Sequence, residues 1–276
     1  MPPAPLPPKD PAYRPESNHY WRYHRLEELL ACQTTVTGSL DEDLFITVHQ
    51  VCELSFRQMI ADLDRAIFAL SPTPPDLAEA TYFLTRAVRL YEVVNRAVPA
   101  LTTMRAFSEF RTALGPSSGF QSFQFRRLEI MCGVRGAYWR GGTRSPQGDL
   151  HPAELESERV HGDQVRAWLR QYESSNLRAR FEQLAGAAPG ATHEERLQHL
   201  ASDPTASRFL RALQQLDQAQ LDFHRAHLKV AVQQLDQVGV QYGTGGTDFK
   251  RYLTTYEREQ APLFPGLTAT PSAERR

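Results

Sequence analysis

Two stretches of the chain place histidine on otherwise apolar helix faces, where an imidazole can serve as a base, a hydrogen-bond partner or a metal ligand. In the first, Phe45, His49, Cys52, Phe56 and Met59 follow one another four, three, four and three residues apart, a spacing that returns side chains to one face of an α-helix. His49 therefore points into apolar surroundings, either as a core histidine satisfied by one hydrogen bond or as the working group of a site. In the second stretch, Leu213, Leu216, Gln220, His224, His227 and Ala231 form a continuous stripe with two histidines one turn apart. Neutral imidazole with an apolar flank is a normal axial ligand of haem iron. A pair of partly buried polar residues at a helix interface is the alternative for the same pattern.

Two further segments have residues suited to binding. Arg126 follows Phe120-Gln121-Ser122-Phe123-Gln124-Phe125, and an arginine held by such a segment can grip a carboxylate with two parallel hydrogen bonds. Arg127 is the neighbouring candidate, and a surface arginine covering apolar area is the plainer reading. Gly243-Thr244-Gly245-Gly246 can turn successive backbone N–H groups toward an anion. A glycine quartet also suits a helix C-cap followed by a loop.

The elements that position these residues are helical, because apolar residues recur at three- and four-residue spacing and strand-like alternation is scarce. The pattern predicts helices over Tyr20–Ala31, Leu44–Leu70, Pro75–Ala97, Thr103–Leu114, Phe120–Cys132, Asp163–Gln171, His193–Leu200, Ser207–Val240 and Thr247–Gln260. Breakers fall between them at 71–75, 115–119, 141–152 and 185–191. The reading is an all-α, single-domain bundle over 18–268, preceded by a proline-rich disordered arm at 1–17 and followed by a disordered tail at 269–276. No internal repeat of fixed period is visible.

Composition narrows the class. With 31 basic and 32 acidic residues among 276, the chain offers no broad electrostatic footprint for nucleic acid or an anionic membrane. Its three cysteines, Cys32, Cys52 and Cys132, lack the spacing of a disulfide framework, a zinc site or covalent haem attachment. No apolar run is long enough to span a bilayer. A soluble cytoplasmic protein without nucleic-acid or membrane partners is expected.

Three blocks carry a resemblance. Asp41-Glu42-Asp43-Leu44-Phe45-Ile46-Thr47-Val48-His49-Gln50, then Gly115-Pro116-Ser117-Ser118-Gly119-Phe120-Gln121-Ser122-Phe123-Gln124-Phe125-Arg126, then Gly243-Thr244-Gly245-Gly246 resemble the tryptophan 2,3-dioxygenases and related histidine-ligated haem-dependent aromatic oxygenases. The three occur in the family's order and cover the chain from about Tyr20 to Leu267. The resemblance implies a helical bundle enclosing a non-covalent haem b, an aromatic amino-acid substrate, O2 (or peroxide) as oxidant, and a homotetramer. It implies that His49 is the active-site base facing the indole N–H and that Phe45 lines the substrate. Arg126 would clamp the substrate carboxylate, Thr244 would contact its ammonium or carboxylate, and Gly243 and Gly245 would shape the loop beside the cofactor. Tyr20 and Tyr23 resemble the family's N-terminal tyrosine-containing helix, which implies that Tyr20 contributes to the substrate pocket, in its own or a neighbouring subunit, and Met104, Phe107, Phe110 and Arg111 resemble the segment ahead of Ser117-Ser118-Gly119.

The proximal ligand needs an adjustment. Ungapped alignment puts Val230 at the family's ligand position, whereas an insertion of three residues before Gly243 brings His227 there, with His224 in reserve. Other departures are Ser39-Leu40 before Asp41, Ser55 in place of a tryptophan, and Thr247-Asp248-Phe249 after the glycine loop. The lead expectation is addition of O2 across the indole ring of L-tryptophan to give N-formylkynurenine. Its rivals are a haem-dependent hydroxylase of tyrosine or a substituted aromatic, a non-catalytic helical interaction module, and a zinc or non-haem iron site using His19, His24 and His49.

Overall fold

A computed structural model of the chain describes residues 18–111, 113, 122–133, 152–238 and 262–267. Among these residues the regular structure is entirely helical. In chain order it comprises α1 (His19–Tyr23), α2 (Leu26–Leu30), α3 (Glu42–Ala69), α4 (Leu77–Ala97), a 3-10 turn (Val98–Thr103), α5 (Phe107–Arg111), α6 (Phe123–Cys132), α7 (Pro152–Gln171), α8 (Leu177–Ala187), α9 (His193–Ser202) and α10 (Pro204–Val238). The all-α expectation holds. The proline-rich arm, the tail, the loop around Ser117 and the expected helix Thr247–Gln260 lie outside the described residues.

The frame is an antiparallel hairpin of α3 and α4 against which α10 packs. Asp76 caps α4, its carboxylate accepting from the Glu79 N–H at 2.9 Å, so a good N-cap residue turns the chain back. Alanines at 66, 80 and 87 are fully buried and present little bulk to neighbouring helices, while Met59, Leu63, Leu84 and Val94 fill the space between. Asp62, itself buried, pairs with Arg86 of α4 and Arg65 of its own helix, each at 3.3 Å. Along α10, Leu213 and Leu216 are buried on the stripe read from the sequence, and Phe209 extends it by one turn; Asn95 of α4 donates to the Ala219 carbonyl at 2.9 Å. Helix α6 lies against α3, with Phe125 and Phe56 in ring contact at 5.4 Å.

Several boundaries differ from the expectations, each for a physical reason. The helix expected over Tyr20–Ala31 is two short ones, because Arg25 takes a left-handed conformation with φ 51°. Thr103–Leu114 shortens to α5. Pro99 sits in a tight 3-10 turn, Met104 is extended, and the carboxylate of Asp41 then accepts from the Arg105 and Ala106 amides at 2.6 and 2.7 Å. Helix α7 begins at Pro152 rather than Asp163, consistent with proline's fitness for the first helical position. Helix α8 was not expected. Its cap Asn176, accepting from the Ala179 N–H, and the 177, 181, 185 spacing of buried Leu, Phe and Ala are signals obscured by the polar residues between them.

A glycine is required where α6 meets α8. Gly133 ends α6 with φ +92°, and a Cβ there would stand 2.7 Å from both the Arg178 Cβ and the Asn176 Oδ1. Since Asn176 caps α8, Gly133 lets the end of α6 seat on the start of α8. Gly133→Ala is expected to destabilise the fold by about 2 kcal/mol through strain and overpacking. A lower denaturant midpoint at unchanged slope would show it.

Candidate active site

The acidic residues that open α3 serve architecture. Asp41 holds the start of α5, as above. Glu42 is buried and accepts from the Val36 and Thr37 amides, both at 2.7 Å, and from the Thr37 hydroxyl. One side chain thus fixes α5, and the other fixes the segment leading into α3, around the first turn that carries Phe45. Gln50 adds a third tie, donating to the Cys32 carbonyl at 3.1 Å and accepting from the Gln33 amide.

Within this frame Phe45 and His49 stand together, ring centroids 4.1 Å apart. Phe45 meets Phe110 at 5.4 Å and Phe107 at 6.1 Å, so α3 and α5 build one aromatic wall beside the imidazole. His49 Nδ1 lies 2.7 Å from the Phe45 carbonyl oxygen. A carbonyl only accepts, so the neutral ring carries its proton on Nδ1 and leaves the Nε2 lone pair free to act as a base. Phe45, Ile46, His49 and Glu53 line an open cleft. Water reaches His49 from that side, but the surrounding protein pulls its pKa below the ordinary imidazole range, against the Phe45 carbonyl and the Glu53 charge.

The second histidine group comes from α10. His227 stacks on Phe223 at 6.1 Å with an interplanar angle of 22°. His224 meets Phe125 and Phe223 edge-on at 5.5 and 5.7 Å. Burial, followed by the fields of His49 and Arg126, pushes His227 down to about 4. Burial, then Arg126 and His227, pushes His224 down to about 3. Both rings are therefore neutral near pH 7, the state a metal ligand needs. His227 stacks on Phe223 of its own helix, whereas His224 also meets Phe125 of α6. Val230, the residue at the ungapped ligand position, is a buried core side chain and has no donor atom for iron.

Arg126 is buried, but its guanidinium already has a carboxylate: Nη1 lies 2.6 Å from Glu129 Oε2 one turn along α6. Arg127 pairs with Asp64 at 3.0 Å and donates to Tyr172 at 3.2 Å. Arg111 shares a helix face with Phe107 and Phe110 at i, i+3 and i+4, the face that meets Phe45. Sequence reasoning had treated Arg111 only as support for the motif. Thr244, Gly243 and Gly245 lie outside the described residues. Tyr20 and Tyr23 are described and point outward, 67% and 85% exposed. Ser55, where the resembled pattern has tryptophan, turns its hydroxyl onto the Val51 carbonyl at 2.7 Å.

The arrangement suits a haem better than its rivals. Imidazoles on α10 and α3, each against phenylalanine rings, are the kinds of group that can serve a haem as ligand and as base. Cys52 and Cys132 are buried thiols pushed up to about 12, chiefly by desolvation, and so do not compete as thiolates. Among the described residues no three His, Cys, Asp or Glu side chains cluster around a possible metal ion, so His19, His24 and His49 do not assemble a zinc or non-haem iron site.

Comparison with known proteins agrees with this geometry. A family model described as tryptophan 2,3-dioxygenase matches residues 11–183. A tryptophan 2,3-dioxygenase of Ruegeria pomeroyi is 31% identical over 255 residues, covering 90% of each chain. One from an Anaeromyxobacter species is 30% identical over 271 residues, covering 96% of this chain and 99% of the relative. The protein of Ralstonia nicotianae described as tryptophan 2,3-dioxygenase 2 is 35% identical over 175 residues, a match that covers 54% of this chain and 47% of the relative.

Proposed function

The chain belongs to the tryptophan 2,3-dioxygenase family, and on that footing we propose that it is a haem-dependent dioxygenase converting L-tryptophan to N-formylkynurenine. The observation that carries the proposal is the aromatic setting of two histidines on different helices, His49 of α3 against Phe45 at 4.1 Å and His227 of α10 against Phe223 at 6.1 Å.

In this reading His227 holds the iron of a non-covalent haem b, and the bound haem supplies the activation of O2. The chain's own residues bind and orient. His49 Nε2 accepts the indole N–H, its own proton being fixed on Nδ1 by the Phe45 carbonyl. Phe45, Phe107 and Phe110 pack against the indole and exclude water, which strengthens the polar contacts made there. We assign the substrate carboxylate to Arg111, because Arg126 is committed to Glu129, and the substrate ammonium to the loop containing Thr244.

We extend the proposal to assembly and location. Tyr20 and Tyr23 are large aromatics left outward in a single chain, and they suit burial against a second copy within a homotetramer. No helix of the described residues is long and apolar enough to cross a membrane, and we place the protein in the cytoplasm.

The test is a visible spectrum and an assay on protein purified from haem-supplemented cells. A Soret band and N-formylkynurenine from L-tryptophan are expected, and oxidation of tyrosine alone would overturn the substrate assignment. His49→Ala should keep the Soret band and lower kcat by about 100-fold, the scale of a lost general base. A variant that lost the haem, or turned over normally, would remove His49 from that role.

A further inference from the structure

Two adjacent glutamines near the end of α10 reach back to a segment about 130 residues earlier in the chain. Gln233 donates through its side-chain amide to the Thr102 carbonyl at 2.9 Å. Gln234 donates to the Leu101 carbonyl at 2.8 Å and, more weakly, to the Met104 carbonyl at 3.5 Å. The last carbonyls of a helical turn have no partner within it, and these amides supply one to the second half of the 3-10 turn and to the extended residue that leaves it. Gln234 is buried, and its Oε1 has no hydrogen-bond partner. Burying half an amide unpaired offsets much of what the other half returns. The Leu101 carbonyl also accepts from the Met104 N–H at 3.3 Å, so it keeps a partner without the glutamine. What the Gln234 amide fixes is position more than stability.

The segment it holds runs directly into the substrate wall. Met104 is followed by Arg105 and Ala106, whose amides are held by Asp41, and then by α5 with Phe107, Phe110 and Arg111. The entry to α5 is thus fixed from two sides, by the carboxylate that precedes α3 and by the amides of α10. Gln234 stands seven residues beyond His227, two turns further along the same face of α10. One helix therefore bears both the assigned iron ligand and the tie to the residues assigned to the substrate.

Resting on the dioxygenase reading above, we propose that Gln234, with Gln233 beside it, is a positioning residue for the substrate: it holds the turn ahead of α5 against α10 and so sets Phe107, Phe110 and Arg111 relative to His227. Its part is geometric, and it exchanges no proton with the substrate.

Kinetics of the haem-loaded, full-length protein test this. Methionine matches the length of glutamine without its amide, so Gln234→Met keeps the packing and removes the donor. It is expected to raise KM for L-tryptophan about tenfold while kcat falls less than about threefold, the split of lost positioning rather than lost chemistry. The Soret band and the denaturant midpoint should stay close to wild type. Gln233→Met lies at a less buried position, tests the same tie without touching the core, and should raise KM by less. Asn95→Ala is the control: it removes the tie between α4 and α10 at the Ala219 carbonyl and should leave KM unchanged. A second readout is independent of turnover. In protein without substrate, amide hydrogen exchange across α5 should quicken in Gln234→Met while exchange at the middle of α3 stays as in wild type.

An unchanged KM in folded Gln234→Met, an equal rise in Asn95→Ala, or unchanged exchange across α5 would each overturn the proposal. A lowered midpoint with wild-type KM would make the amide a packing element and nothing more. Wild-type protein that holds haem yet ignores tryptophan would sink the dioxygenase reading. In that case the exchange experiment alone still decides whether Gln234 sets the start of α5.

Discussion

Replacing His227 by alanine is expected to remove most of the Soret absorbance, while His224→Ala keeps it. The two residues lie one turn apart on α10 and both rings are neutral, so charge does not separate them. Orientation does: His227 stacks on Phe223 and lies within the field of His49, whereas His224 is set edge-on between Phe125 and Phe223. Loss of a direct ligand should weaken haem binding by more than the roughly 10- to 100-fold that follows from losing an outer partner of a metal ligand. Titration of the purified apoprotein with haemin measures it. Retention in His227→Ala together with loss in His224→Ala would move the ligand to His224 and turn the haem toward α6.

The second large effect separates two arginines. Arg126→Leu leaves Glu129 buried without its cation, and breaking such a pair by removing one partner costs about 3–5 kcal/mol. The loss should appear as a fall in denaturant midpoint, and Glu129→Leu added in the same chain should recover much of it, because the stranded charge is then gone. Arg111→Leu is expected to leave stability within about 1 kcal/mol and to weaken tryptophan binding by about 2–5 kcal/mol, the scale of one partner lost from a buried charge pair. Arg126→Lys supplies the opposite test, since lysine keeps the charge without the planar fork. If that variant folds normally but loses tryptophan affinity, and Arg111→Leu binds normally, the carboxylate clamp is Arg126.

The long helices were legible because burial imposes its period on them directly. Cys52, Phe56 and Met59 on one stripe and Leu213 and Leu216 on the other are buried as their spacing requires, while His49 stands exposed beside the first and His227 half-buried on the second. Short elements were less legible, since contacts distant in sequence stabilise them. Helix α5 begins where it does because Asp41, about sixty-five residues earlier in the chain, accepts the Arg105 and Ala106 amides just ahead of it, and no local pattern records that. The break between α1 and α2 depends on a left-handed Arg25, an uncommon state for arginine that composition does not signal. Arg126 illustrates the limit for site residues. Its motif marked it as a cation for the substrate carboxylate, but its Glu129 partner sits at an ordinary i+3 position, indistinguishable in sequence from a surface pair. Gln234 was overlooked for the converse reason. Two turns from His227 it reads as one more polar residue on a helix, and only the fold brings the Leu101 and Met104 carbonyls to it.

The bond that orients His49 comes from the carbonyl of Phe45, within the same helix. The tautomer of the base is thus set by α3 alone and travels with it. The wall opposite, Phe107 and Phe110, belongs to α5, a short element held in place by the Asp41 carboxylate. In the proposed reading, reactivity and selectivity therefore reside on separate parts. Sequence drift in α5 can reshape the pocket for a larger, smaller or more polar ring while the imidazole keeps its lone pair and its aim, so one scaffold can change its diet without relearning its chemistry.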